Sequence, residues 1–82
     1  MKKKKFPDTI ISTQVAGFPR YVLNAAFKPA DNKRVPTLTD DPSKARKYWD
    51  EDEANRAITR FHNPQKRVYT PEKAPDYQKA NY

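Results

Sequence analysis

Trp49-Asp50-Glu51-Asp52-Glu53-Ala54-Asn55-Arg56-Ala57-Ile58-Thr59-Arg60-Phe61-His62-Asn63-Pro64 is the stretch that decides the fold. Asp50 is a good N-cap residue, and Glu53 stands three positions later, as in a capping box. Ala54, Ala57, Ile58 and Phe61 recur at i, i+3, i+4 and i+7, which is one face at helical period. The acids crowd the first turn, while Arg56, Arg60 and His62 come later, in the sense the helix dipole favours. Asn63-Pro64 supplies a stop, because proline disfavours α conformation before it. The spacing predicts a helix over about 50–62.

Upstream, Thr9-Ile10-Ile11-Ser12-Thr13-Gln14-Val15-Ala16 is rich in β-branched residues and reads as a strand. Gly17-Phe18-Pro19 reads as a turn, built on the only glycine of the chain. Arg20-Tyr21-Val22-Leu23-Asn24-Ala25-Ala26-Phe27 follows as a second strand, although its apolar residues do not alternate and its buried face stays open. A polar turn over 28–33 leads to Arg34-Val35-Pro36-Thr37-Leu38-Thr39. Pro36 lacks the N–H of a central strand and places this one at an edge.

Asp41-Pro42 then opens a helical turn. Two continuations are open: re-extension through Arg46-Lys47-Tyr48-Trp49, or a short helix to Tyr48. The first is favoured, because Asp50 starts the next helix too soon for a helix–helix turn. Beyond Pro64, Gln65-Lys66-Arg67-Val68-Tyr69-Thr70 reads as a last short strand. Residues 71–82 carry two prolines and no periodicity. The expectation is an α+β fold: a small antiparallel sheet of three to five short strands, with one helix on one face. It divides into a flexible basic arm at 1–8, one domain at 9–70 and an extended or disordered tail at 71–82.

Eighty-two residues form one domain at most, with a small core and modest stability. Hydrophobic residues are 35% of the chain and charged residues 33%, near the boundary of disorder. Four Phe, five Tyr and one Trp supply the apolar area that aliphatic residues do not. With so little apolar material, Trp49 is expected in the core, stapled against Ala54. Met1-Lys2-Lys3-Lys4-Lys5 resembles the start of a signal peptide, but Asp8 ends the match before any apolar region. No run approaches the ~18 apolar residues of a membrane span. A soluble, cytoplasmic protein is expected.

The residues for catalysis are missing. There is no cysteine, and His62 is the single histidine, placed to meet the carbonyls at the helix end. Ser12 and Ser43 have no base near them in sequence. Asp50 to Glu53 serve the helix start and lack the spacing and glycine of a calcium loop. One glycine excludes the phosphate-cradling loops. The expectation is a non-enzyme with no cofactor, no metal and no small-molecule substrate.

Binding remains. Net charge is +7. Residues 1–36 hold eight Lys and Arg against two acids, whereas residues 37–82 hold nine against eight. Cations interleave with aromatics at Phe18-Pro19-Arg20-Tyr21, at Lys44-Ala45-Arg46-Lys47-Tyr48-Trp49 and at Lys66-Arg67-Val68-Tyr69. Cations meet phosphates and exposed rings stack on bases, so this mixture suits single-stranded nucleic acid. The candidate contacts are Lys2, Lys3, Lys4, Lys5, Lys33, Arg34, Arg46, Lys47, Lys66, Arg67 and Tyr69. Tyr77 and Tyr82 are further rings open to a partner. The acidic first turn argues against a major-groove recognition helix, although Arg56 and Arg60 on one exposed side reach a backbone.

The runs Tyr21-Val22-Leu23, Leu38-Thr39-Asp40-Asp41-Pro42-Ser43-Lys44-Ala45-Arg46-Lys47-Tyr48-Trp49 and Asp52-Glu53-Ala54 resemble small proteins encoded by bacteriophages and prophages. Those often show a strand, a threonine–aspartate–turn–lysine–alanine corner, an aromatic, and a helix opened by paired acids and alanine. The resemblance covers about residues 20–62 and transfers no site residues. It implies an accessory role, often the binding and inhibition of a host or defence protein. Many such inhibitors are acidic DNA mimics, and this chain is basic. Two expectations therefore stand side by side: a nucleic-acid-associating module, and an accessory protein that binds a host protein through a sheet edge or its tyrosine-bearing tail.

Overall fold

The computed structural model describes residues 7–30 and 32–74. Lys2 to Lys5, Tyr77 and Tyr82 lie outside the described residues. Four strands form one antiparallel sheet: β1 (Thr9–Val15), β2 (Phe18–Lys28), β3 (Lys33–Thr39) and β4 (Thr70–Lys73), in the order β3-β2-β1-β4. A single α-helix, α1 (Glu51–Thr59), packs on one face, so the fold is a small α+β layer pair. Among the described residues no helix is long and apolar enough to cross a membrane.

β1 is the axis of the core. Ile10 and Ile11 are successive in a strand, so they point to opposite faces, yet both are fully buried. On the helix face Ile11 meets Val22, Ala54, Phe61 and Tyr69. On the other face Ile10 is covered by Ala45 and Ala74, with Tyr21 beside them. Each buried isoleucine contributes about 1.5–3 kcal/mol of apolar transfer.

The turn between β1 and β2 differs from the sequence reading. Val15 pairs with Phe18, so the connection is Ala16-Gly17 alone, and Phe18 and Pro19 belong to the strand. Both turn residues have positive φ, 53° and 84°, the pattern of a type I′ hairpin turn. β2 fails to alternate for a structural reason. Its register with β3 shifts between Val22 and Asn24, so Leu23 is the extra residue of a bulge. Val22 and Ala25, three apart rather than two, both pack towards the helix.

The segment after β3 takes the first of the two continuations in part. Pro42–Lys44 form a 3₁₀ turn, with Asp41 as cap. The expected strand beyond it shrinks to one bridge, in which Thr9 and Tyr48 exchange backbone hydrogen bonds of 3.0 and 2.6 Å. Arg46 N–H donates to the Val22 carbonyl at 2.9 Å, so this segment fills the gap where β2 bends away from β1.

α1 starts as the sequence requires. Asp50 accepts from Glu53 N–H at 2.9 Å, and Glu53 Oε1 accepts from Trp49 N–H at 2.7 Å. It ends earlier than the expected residue 62, and Pro64 is not its stop. Arg34 N–H donates to the Arg60 carbonyl (2.9 Å) and His62 N–H donates to the Arg34 carbonyl (2.7 Å). This pairing with β3 draws the chain out of the helix at Arg60, before the proline is reached.

The last strand also moves. Residues 65–69 are not a strand: Asn63 closes them into a loop, donating to the Arg67 carbonyl at 2.8 Å and accepting its N–H at 3.0 Å. β4 instead uses Thr70-Pro71-Glu72-Lys73, three residues of which fall in the expected tail. Its partners lie far away in sequence: Ile10 opposes Glu72, Lys73 Nζ stands 3.8 Å from Asp8 Oδ2, and Ala74 N–H donates to the Asp8 carbonyl at 2.7 Å. As edge strands, β3 and β4 tolerate Pro36 and Pro71.

Candidate nucleic-acid interface

β2 and β3 run on beyond the bulge as a two-stranded arm, from the Asn24–Thr37 pair out to the Lys28–Lys33 pair. The helix end leans against this arm through the Arg34 backbone pairing. Between them lies a hollow of about 260 Å³. Four arginines line it: Arg34 from β3, Arg46 from the segment after the 3₁₀ turn, Arg56 from α1 and Arg60 at the helix C-cap. All four are exposed, and the apolar part of the lining comes from Ala25, Ala57, Tyr48 and Phe61.

Glu53 is the one carboxylate in that lining, and it is engaged with the Trp49 N–H. Among the described residues no carboxylate stands within 4.0 Å of any of the four guanidinium groups. The hollow therefore carries a surplus of positive charge, four guanidinium groups against one carboxylate. Arginine suits such a place, since its planar fork meets phosphate or carboxylate oxygens two at a time and stays charged at every physiological pH.

A second hollow of about 320 Å³ adjoins the first, lined by Phe27, Asn32, Arg34 and Arg60. The two share Arg34 and Arg60 as a common wall. Each end of the combined groove has an arginine over an aromatic ring. The Arg34 guanidinium lies 5.7 Å from the Phe27 centroid, and that of Arg46 lies 5.5 Å from the Tyr48 centroid. Tyr48 is only 6% exposed, and burial is the main reason its hydroxyl is held above the ordinary 10.0. Phe27, at 52% exposure, is the open ring.

The sequence-derived candidates separate accordingly. Arg34 and Arg46 enter the groove. Lys33 stands at the tip of the arm, opposite Lys28. Lys66 is exposed in the Asn63–Arg67 loop, in the left-handed region at φ 56°, and Arg67 is half-buried there. Lys47 is half-buried between Arg46 and Tyr48. Tyr69 does not present a free ring: it is buried, edge-on to Phe61 at 5.1 Å. Trp49 reverses in the opposite sense, at 49% exposure instead of in the core. Tyr48 makes the bridge to Thr9 and takes the inner place, while Trp49, in the bend that follows, stays outside.

Arg56 and Arg60, expected on one exposed side of the helix within reach of a backbone, line the groove, whereas Phe27 was not among the sequence candidates. The signal for the first two is their i, i+4 spacing, which puts them on one side of the helix. Phe27 gives no local signal, because the bulge at Leu23 decides which face it joins. Among the described residues no group of three or more His, Cys, Asp or Glu side chains is arranged to hold a metal ion. Compared with known proteins, the chain matches no protein-family model, no characterised protein and no solved structure.

Proposed function

We propose that this protein is a non-enzymatic module that associates with nucleic acid through its phosphate backbone, without regard to sequence. The observation that carries the reading is the convergence of Arg34, Arg46, Arg56 and Arg60 on one groove whose lining holds a single carboxylate, Glu53. Phosphate oxygens are the partners such forks fit, and each contact releases condensed counterions. The net charge of +7 strengthens the encounter, with Lys33 at the tip of the arm beside Arg34. Of the acids in the first turn of α1, only Glu53 lines the groove, and it is engaged with the Trp49 N–H.

The test is a salt titration of binding to labelled DNA and RNA. The wild-type protein binds at low salt with a steep negative slope of affinity against salt. Replacing Arg34 and Arg60 together by Gln lowers the magnitude of that slope by about 2, one unit for each phosphate contact. Unaltered binding in this double variant removes the groove from the account.

A second reading, an accessory protein that binds another protein in the manner of the phage-encoded proteins the sequence resembles, draws support from one side chain. Trp49 is half exposed, and tryptophan is a frequent anchor of protein interfaces. Strand addition at an edge is the less suitable route, since β3 carries Pro36 and is occupied at Arg34, and β4 carries Pro71. This reading expects a complex that survives nuclease and moderate salt and is lost in Trp49→Ala.

A further inference from the structure

We propose that the groove selects single-stranded nucleic acid, with the strand's phosphates on Arg34, Arg60 and Arg56 and one base stacked on Phe27. The inference rests on the nucleic-acid reading above and adds to it the form of the ligand.

The first reason is shape. The guanidinium groups line two adjoining hollows rather than a flat or convex surface. A duplex is stiff over a length far greater than this domain, with a persistence length of about 150 base pairs, so its backbone cannot bend down into a recess between a helix and a hairpin arm. A single strand can follow such a recess, because each of its nucleotides turns independently. The second reason is the ring. Phe27 shares its hollow with Arg34 and Arg60, and it is 52% exposed in a protein short of apolar residues. A base paired within a duplex does not present its face to that ring, whereas an unpaired base does.

The third reason is the order of groups along the groove. Phe27 stands at one end, Arg34 and Arg60 in the shared wall, and Arg56 and Arg46 beyond them. One aromatic platform followed by a line of cations is the arrangement by which sequence-tolerant single-strand sites work: the ring takes any base, and the cations track the backbone. Arg34 lies over one face of Phe27 at 5.7 Å, so the base takes the opposite face of the ring. Asn32 lines the same hollow and offers an amide to a base edge or sugar hydroxyl without dictating which base is present.

Fluorescence anisotropy with the full chain tests this. The probes are a short labelled pyrimidine DNA strand, the RNA strand of the same sequence, the DNA strand annealed to its complement, and an abasic strand of equal length. The DNA and RNA arms establish which strand is preferred. Tighter binding of a single strand than of the duplex is expected. Phe27→Ala weakens the base-bearing strand about tenfold and leaves the abasic strand unchanged, while Phe27→Tyr restores binding. Phe27 is exposed, so the variant folds, which a matching thermal midpoint confirms. Equal affinity for duplex and single strand, or a Phe27→Ala variant that binds the base-bearing strand as wild type does, overturns this inference and leaves phosphate binding by the arginines intact. No binding of any probe at low salt overturns both.

Discussion

The two ends of the sheet are built on opposite principles. At the β1–β4 end, a strand is buried on both faces: Ile10 and Ile11 are fully enclosed, one by the turn and the chain after β4, the other by the helix. At the β2–β3 end, the arm is open. Phe27 is 52% exposed, Val35 is 39% exposed, and Lys28, Lys33 and Arg34 crowd its tip. The sequence is economical with apolar residues and spends most of them on the first end. The second end is held by backbone hydrogen bonds and by Ala25 and Leu38, which are half-buried against the main core. The core that holds the fold and the groove proposed for recognition thus lie at different ends of the sheet. The bulge at Leu23 lies close to the boundary between them.

The sharpest way to break this contrast is to truncate one apolar side chain at each end. Ile11→Ala should cost about 2–5 kcal/mol, enough to leave a chain of this size largely unfolded, as a urea titration would show. Val35→Ala on the arm should lie within about 0.5 kcal/mol of wild type. Similar costs at the two positions would mean that the arm is part of the core.

A smaller effect sharpens it from within the closed end. Thr13 is 4% exposed, and its hydroxyl has no hydrogen-bond partner among the described residues. A buried hydroxyl without a partner is a desolvation loss, so Thr13→Val should stabilise the protein by about 1 kcal/mol in the same titration. A destabilised variant would show that the hydroxyl finds a partner in solution.

The smallest effect concerns the turn that closes the Ile10 face. Asp41 accepts from Ser43 N–H at 3.0 Å and from Ser43 Oγ at 2.7 Å, and these bonds hold its carboxyl below the ordinary 3.8. The folded value lies below the unfolded one. The stabilisation is therefore complete above the ordinary value and is lost as pH falls through the lowered one. The Ala45 amide resonance should move in that acid range in the wild type, and Asp41→Asn should flatten the profile.

How much of this was legible in the sequence depends on the range of the interaction that fixes each feature. Asp50 and Glu53 act within one turn, and the helix start could be read from them. Pro36 excludes a central strand by its own chemistry, and β3 is an edge. The helix end was misplaced because Arg34, far upstream, captures the backbone of Arg60 and His62. β4 was misplaced because its register is set by Asp8 and Ile10, which overrode the prolines as local signals. Tyr69 and Trp49 exchanged their expected places, since Tyr69, in the loop before β4, is drawn onto Phe61, and Tyr48 takes the inner place beside Trp49. The same holds for the groove. Arg34 and Arg46 were legible as basic residues near aromatics, and Arg56 and Arg60 as a helical pair. Their convergence is tertiary, and only the packing of α1 against the arm creates it.

Arg34 and Arg60 hang from main-chain atoms that are hydrogen-bonded to each other. Folding itself therefore places Arg34 and Arg60 side by side in the wall of both hollows, and a ligand does not have to bring the two residues together on arrival. On the proposed reading, an anion bound by both favours the folded chain over the unfolded one. The thermal midpoint should consequently climb with ligand concentration, even for an oligonucleotide whose binding leaves the backbone where it was.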